Sequence, residues 1–280
     1  MNKIEVSKLN AEGDNEGETS PALTSSVNDN GLNVTSTSSS VNAIDIHISS
    51  GMHISTLQVN VAVYYESLCP DSRKFFTQQL YPSLQTNLSD FVNLTLVPYG
   101  KTKTKFDINE YHFDCHHGPA ECYGNKIQAC ALKLIEGGKA SDGLGFNRVS
   151  AGFINCLMDK VTRDGPKATF PTMECAQINH VNNLNVIENC VNHTDGSNYL
   201  SILGKLTDDV QNPLKSVPTI VFNKQFKQAD NDLAQINFVK ALCQYIEGTK
   251  PEECSKNGAH SLKISLGFVL LATVFARYFY

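Results

Sequence analysis

A chain of 280 residues, 41% hydrophobic and 18% charged, carries enough apolar material for one large domain or two small ones. A formal charge of −5 and a pI near 5.9, with Lys and Arg scattered, exclude the basic stripe that recruits phosphates, so nucleic acid is not an expected partner. No phosphate-binding glycine loop and no Gly-x-Ser-x-Gly elbow occurs, which removes two common enzyme classes.

In chain order, residues 1–56 are rich in Ser, Thr, Asn and Gly and are expected to be disordered, because they bury too little apolar surface to offset ordering entropy. Met1–Asn30 shows no apolar h-region of a signal peptide, and only Ala43–Ile48 alternates like a short strand. Leu57–Tyr65 is β-branched and aromatic with polar interruptions and predicts a strand. A helix follows from Arg73 to about Leu84, with Pro70 suited to its first turn, where no amide partner is needed. Val92–Tyr99 predicts a second strand, so strand, helix and strand form a βαβ unit and a parallel sheet. Six cysteines, helical periodicity over Ile127–Ile135, and turns at Gly137-Gly138 and Asp164-Gly165-Pro166 mark about 111–206 as a mostly helical insertion held by disulfides. Val217–Phe222 predicts another strand with a turn at Asn223-Lys224, and apolar residues at 233, 236, 239 and 242 predict a helix over Leu233–Gln244. The fold class is α/β: residues 57–254 form the folded domain, between the 1–56 segment and a 255–280 tail.

Ser261–Tyr280 is the membrane candidate of the chain. Its uncharged core, Ile264–Ala276, is shorter than the ~20 apolar residues of a spanning helix, yet it follows small residues as a removable lipid-anchor tail does. Membrane attachment through this tail is expected, of a kind left open between a lipid anchor, a tail anchor and an amphipathic end.

Nine cysteines, at 69, 115, 122, 130, 156, 175, 190, 243 and 254, point to an oxidising compartment. Eight of them can close four disulfides, with pairing that spacing does not determine, and one thiol is left over. Acceptor patterns for N-glycosylation at Asn33, Asn87, Asn93 and Asn192 agree with an exported, extracellular or lysosomal glycoprotein.

The candidate leftover thiol is Cys69, in Cys69-Pro70-Asp71-Ser72, where a strand gives way to a helix. Free amides and the positive end of a helix dipole at such a place favour thiolate, the form that attacks disulfides. Thioredoxin-like folds use this position, normally with a second cysteine three residues on; here that place is Ser72. An inward-turned Asp71 would oppose thiolate formation. Pro218, in Ser216-Val217-Pro218-Thr219, occupies the place where such folds put a cis proline that faces the thiol and presents backbone to an extended substrate; an ordinary trans proline at a strand start is the blander alternative. In Cys115–Cys130 cysteines and histidines mix, but no Cys-x2-Cys pair and no spaced His-x3-His partner occurs, so disulfides are preferred to zinc and no metal or cofactor is expected. His47, His53, His112, His180, His193 and His260 are dispersed and take packing or surface roles.

That last stretch resembles the signature of the gamma-interferon-inducible lysosomal thiol reductases, Cys-Gln-His-Gly-x2-Glu-Cys-x2-Asn-x4-Cys. Cys115, His117, Gly118, Glu121, Cys122, Asn125 and Cys130 match in type and spacing, and His116 stands in place of the Gln. Asn93–Gly100 is similar to the family's second-strand segment, Val217-Pro218 to its proline, and Leu242–Cys254 to its C-terminal helix and closing cysteine, so the resemblance spans about Val59–Cys254. It implies a thioredoxin-like sheet with a disulfide-rich insertion, in a secreted or lysosomal glycoprotein that reduces protein disulfides, often at acidic pH, through Cys-x-x-Cys. Here Cys69 matches the attacking cysteine and Ser72 replaces the resolving one. The expected activity is therefore a monothiol reduction of disulfide-containing proteins, with Cys69, Ser72 and Pro218 as site residues and a small external thiol as reductant. The alternative is a secreted binding glycoprotein that keeps the scaffold without turnover.

Overall fold

The computed structural model of the protein describes residues 57–135 and 145–259. The expectations for 1–56, the Gly137-Gly138 turn and the 260–280 tail fall outside the described residues. Among the described residues no helix is long and apolar enough to cross a membrane.

The sheet is built on β1 (Val59–Tyr65), which pairs in parallel with β2 (Val92–Pro98) from Val59↔Val92 to Tyr65↔Pro98. On its other edge β1 takes a short antiparallel strand (Thr219–Phe222), from Val61↔Phe222 to Tyr64↔Thr219, which places β1 at the centre. Alternation along β1 is two-sided. Val59, Val61, Val63 and Tyr65 enter a core with Phe75, Phe76, Phe238 and Leu242, whereas Tyr64 enters a second core with Val97, Tyr99, Leu200 and Val221. Both faces are covered, which explains why the sequence of β1 is apolar with few interruptions.

The helix after β1 starts as α1 (Pro70–Phe75), passes through a π-helical turn (Phe76–Leu80) and ends as α2 (Tyr81–Leu84). The π turn closes with Tyr81 donating to the Phe76 carbonyl, next to Pro82, which has no amide to continue the α ladder. The link from β2 into the insertion is a hairpin, β3 (Lys103–Asp107) and β4 (Glu110–Asp114), turned at Ile108 and Asn109 with φ of 46° and 64°. A second, smaller hairpin joins β5 (Thr162–Asp164) to β6 (Lys167–Thr169) around Gly165. The insertion is thus less purely helical than its cysteines and periodicity predict. Every residue of β3 and β5 is exposed, so neither carries the apolar alternation by which a strand is read.

The rest of the insertion is helical: α3 (Pro119–Leu134), α4 (Arg148–Lys160), α5 (Thr172–Ile178), α6 (Leu184–Asn192) and α7 (Thr194–Asp208). Two disulfides, Cys130–Cys190 and Cys156–Cys175, run through a third core that also takes in Leu68, Ile127, Phe153 and Leu157. The short antiparallel strand is β7, and beyond it Asn223 and Lys224 make the expected turn with φ of 47° and 62°. The helix predicted over Leu233–Gln244 is two helices, α8 (Gln228–Ile236) and α9 (Phe238–Cys243). Asn237 breaks it: its side chain accepts from the Lys240 amide and caps α9 instead of continuing α8. A disulfide, Cys243–Cys254, fastens α10 (Glu252–Ala259) to α9.

Candidate active site at the end of the first strand

Segment 64–69 carries β1 out of the sheet and touches all three cores: Tyr65 packs in the first, Tyr64 in the second and Leu68 in the third. Cys69 follows as the N-cap of α1, with extended backbone (φ −66°, ψ 123°), and the Arg73 amide donates to its carbonyl at 3.0 Å. The other eight cysteines are closed as Cys115–Cys122, Cys130–Cys190, Cys156–Cys175 and Cys243–Cys254, and Cys69 is the free cysteine. Its side chain is nearly covered, and the thiol donates to the Val217 carbonyl oxygen, 3.9 Å away. The Val217–Pro218 bond is cis, and the backbone carbonyl of Val217 lies against the sulfur.

Ser72 is fully buried, and its hydroxyl oxygen accepts from the Glu66 amide at 3.4 Å. The same hydroxyl keeps its own proton to donate. Asp71 is exposed on the first turn of α1 and does not turn inward.

The seven signature positions fall into two groups. Cys115 and Cys122 close a short loop onto the start of α3, with Gly118 at its N-cap in a positive-φ conformation (84°). Cys130 lies a helical stretch further on and staples α3 to α6. Between them, Asn125 and Glu121 turn toward the Cys69 segment. The Ser67 amide donates to Asn125 Oδ1 at 2.9 Å, and the Ser67 hydroxyl donates to the Glu121 carbonyl at 3.2 Å. Gly124 makes that approach feasible, since a Cβ there would sit 2.5 Å from Ser67 Oγ and 2.2 Å from Phe170 Cζ.

The residue that sequence reasoning missed is Glu66. Its carboxylate is fully buried, and Oε1 accepts from the Lys101 amide at 2.8 Å. Its Oε2 lies 3.2 Å from His116 Nδ1 and 3.2 Å from His117 Nδ1. Glu121, equally buried, meets His117 Nδ1 at 2.6 Å and accepts from the His117 amide at 3.0 Å. Burial pushes the Glu121 carboxyl above the ordinary glutamate range, and the Glu66 charge pushes the same way while the His117 bonds pull back. Nothing in the pattern of the chain marks Glu66 beyond an acidic residue after an apolar strand, and its histidine partner is 50 residues away. Of the acceptor asparagines, Asn87, Asn93 and Asn192 are exposed, and Asn33 lies outside the described residues.

A βαβ unit, an antiparallel third strand and a free thiol at the strand-to-helix junction define a thioredoxin-like protein of the thiol oxidoreductase class. The description "Gamma interferon inducible lysosomal thiol reductase (GILT)" belongs to the family model that matches residues 60–194. GILT-like protein 1 of Drosophila melanogaster is 42% identical over 226 residues, 80% of this chain and 90% of that protein. A gamma-interferon-inducible lysosomal thiol reductase-like protein of Anopheles gambiae is 39% identical, over 70% of this chain and 80% of its own length. The mouse gamma-interferon-inducible lysosomal thiol reductase is 29% identical over 70% of this chain and 72% of that protein. The chain belongs to the GILT family. Among solved structures, oxidised BdbD from Bacillus subtilis aligns with 69% of this chain and 93% of its own at a TM-score of 0.46 and 14% identity; the fold is read from the topology described above.

Proposed function

We propose that this protein reduces disulfides in protein substrates through Cys69 alone. The observation that supports the reading is the disposition of thiols: eight are closed in disulfides, and the ninth sits at the N-cap of α1 against the backbone of Val217. Cys69 thiolate attacks one sulfur of a substrate disulfide. A mixed disulfide forms, and the other substrate sulfur leaves as thiolate, taking up a proton. In a Cys-x-x-Cys protein the second cysteine would then attack the Cys69 sulfur; Ser72 has no sulfur to do so. An external small thiol, such as free cysteine or glutathione, attacks the Cys69 sulfur of the mixed disulfide instead and releases the second substrate thiol. A second small thiol then attacks the small-thiol sulfur of the resulting disulfide, which frees Cys69 reduced and leaves the two small thiols joined as their own disulfide. Ser72 donates its hydroxyl proton to the Cys69 thiolate, and Val217-Pro218 offers backbone to the extended substrate. No cofactor takes part beyond the small thiol.

We place the activity in the secretory or lysosomal lumen of an exported glycoprotein, with Asn87, Asn93 and Asn192 as exposed acceptors and with membrane attachment through residues 255–280. Enzymatic deglycosylation and phase partitioning of the expressed chain test those two points.

The activity is tested by insulin disulfide reduction with excess small thiol, comparing wild type with Cys69→Ser and Ser72→Cys. Wild type is expected to exceed Cys69→Ser, and Ser72→Cys to turn over faster and with less dependence on the small thiol. Equal rates for wild type and Cys69→Ser would reject the reductase and leave the scaffold as a binding module.

A further inference from the structure

Two buried carboxylates and two histidines gather beside the Cys69 segment. Glu66 and Glu121 are both fully buried, and both point an oxygen at the same imidazole nitrogen, His117 Nδ1, at 3.2 and 2.6 Å. An ionised carboxylate withdrawn from water is costly unless a cation or a proton meets it, and Glu66 Oε2 faces two imidazole nitrogens. A divalent cation held by both imidazoles would meet that charge.

The donor atoms are spaced for one. Bonds of 2.0–2.2 Å to a tetrahedral zinc-like ion put neighbouring ligand atoms about 3.3 Å apart. Glu66 Oε2 lies 3.2 Å from Nδ1 of both His116 and His117, and one donor atom from each of the three side chains falls within 4.8 Å of the others. Glu121, 2.6 Å from His117 Nδ1, borders this group from outside it. The outer oxygen of the Glu66 carboxylate is already held. The Lys101 amide donates to Glu66 Oε1 and leaves Oε2 directed at the two histidines, the arrangement in which outer bonds orient metal ligands. The His116 side chain is 49% exposed, which gives an ion a route in from solvent. The Cys115–Cys122 disulfide and the Gly118 turn hold both histidines at the head of α3. Spacing along the chain argued against zinc only because it weighed Cys and His without Glu66. His116 is also the position where this chain departs from the family signature, so its third donor is a feature of this chain.

We propose that Glu66, His116 and His117 bind a divalent transition-metal cation of the zinc type, tying the Cys115–Cys122 loop to the end of β1. The inference does not depend on the reductase reading, and its test does not read activity. The full chain is prepared with its disulfides intact and in a Cys69→Ser background, so that the thiol contributes nothing, and is stripped with chelator. Zinc is then titrated in competition with a chromophoric chelator. One equivalent is expected to bind. His116→Gln, which restores the residue of the family signature at a half-exposed position, is expected to weaken binding by about tenfold or more, and His193→Gln at a distant exposed site to leave it unchanged. X-ray absorption at the zinc edge of the loaded parent protein is expected to show two imidazoles with oxygen ligands and no sulfur, a readout that holds even if the variant folds poorly. Failure to bind one equivalent, a His116→Gln affinity equal to that of the parent, or an absorption spectrum without two imidazoles would overturn the proposal.

Discussion

At Gly100 the backbone has φ +62°, and a Cβ built there would fall 2.2 Å from Glu66 Cγ and 2.6 Å from its Oε1. This position is where the chain after β2 leaves room for a buried carboxylate, and the next amide, that of Lys101, holds that carboxylate. Gly100→Ala combines left-handed backbone strain with a clash against a side chain that cannot retreat into water. It is expected to cost about 2–4 kcal/mol, read as a lower urea midpoint with unchanged slope. Asn125 offers a separate check on the same segment. Its Oδ1 is the acceptor for the buried Ser67 amide, so Asn125→Ala strands that amide and is expected to cost about 1–3 kcal/mol. Read by urea unfolding, a cost for Asn125→Ala well below about 1 kcal/mol would mean that the Ser67 bond is not what Asn125 contributes.

At the scale of elements, α3 is the platform on which the Cys69 segment rests, and Gly124 sets how close the two come. An alanine in mid-helix normally gains about 1 kcal/mol over glycine. Here its Cβ would meet Phe170 at 2.2 Å and Ser67 Oγ at 2.5 Å, so Gly124→Ala is expected to destabilise by about 1–3 kcal/mol net; a rise in melting temperature would refute that close approach. Elements differ in how far their residues announce them. β1 and β2 are legible because their side chains meet a core on one face or both, and Cys69 is legible because it falls where β1 turns into a helix. β3 and β5 are not, since exposed strands carry no apolar period. The break at Asn237 hides because residues 233, 236, 239 and 242 keep helical spacing straight across it. The signature shows its cysteines and its spacing, but it does not show that Glu121 and Asn125 serve Ser67, or that Glu66 joins them. Those bonds link residues 50 or more positions apart, and a pattern read along the chain records only neighbours.

For the whole molecule, the decisive fact is that three cores meet under one short segment, Tyr64–Leu68, immediately before the free thiol. The sheet core is held by strand pairing and aromatic packing, whereas the insertion core has two disulfides running through it. Stabilisation of the insertion therefore reaches the thiol through Leu68 and the Ser67 bonds. Cys130–Cys190 closes a loop of 60 positions and contributes up to about 4 kcal/mol by constraining the unfolded chain; Cys243–Cys254 closes one of 11 and contributes up to about 3. The two differ more in location than in size, because Cys243 and Cys254 pack on the sheet core through α9 and α10. Paired replacement by alanine separates location from size. Removing Cys130 and Cys190 together is expected to lower global stability and also to raise amide hydrogen exchange at Glu66–Cys69, as α3 loosens beneath them. Removing Cys243 and Cys254 together is expected to lower stability by a comparable amount while exchange at Glu66–Cys69 rises only with global unfolding. Alkylation of Cys69 under native conditions should follow the same order, faster in the first variant than in the second, since the thiol is nearly covered in the intact fold. If both variants expose Cys69 equally at matched stability, the site segment draws its order from the sheet alone, and the coupling through α3 is wrong.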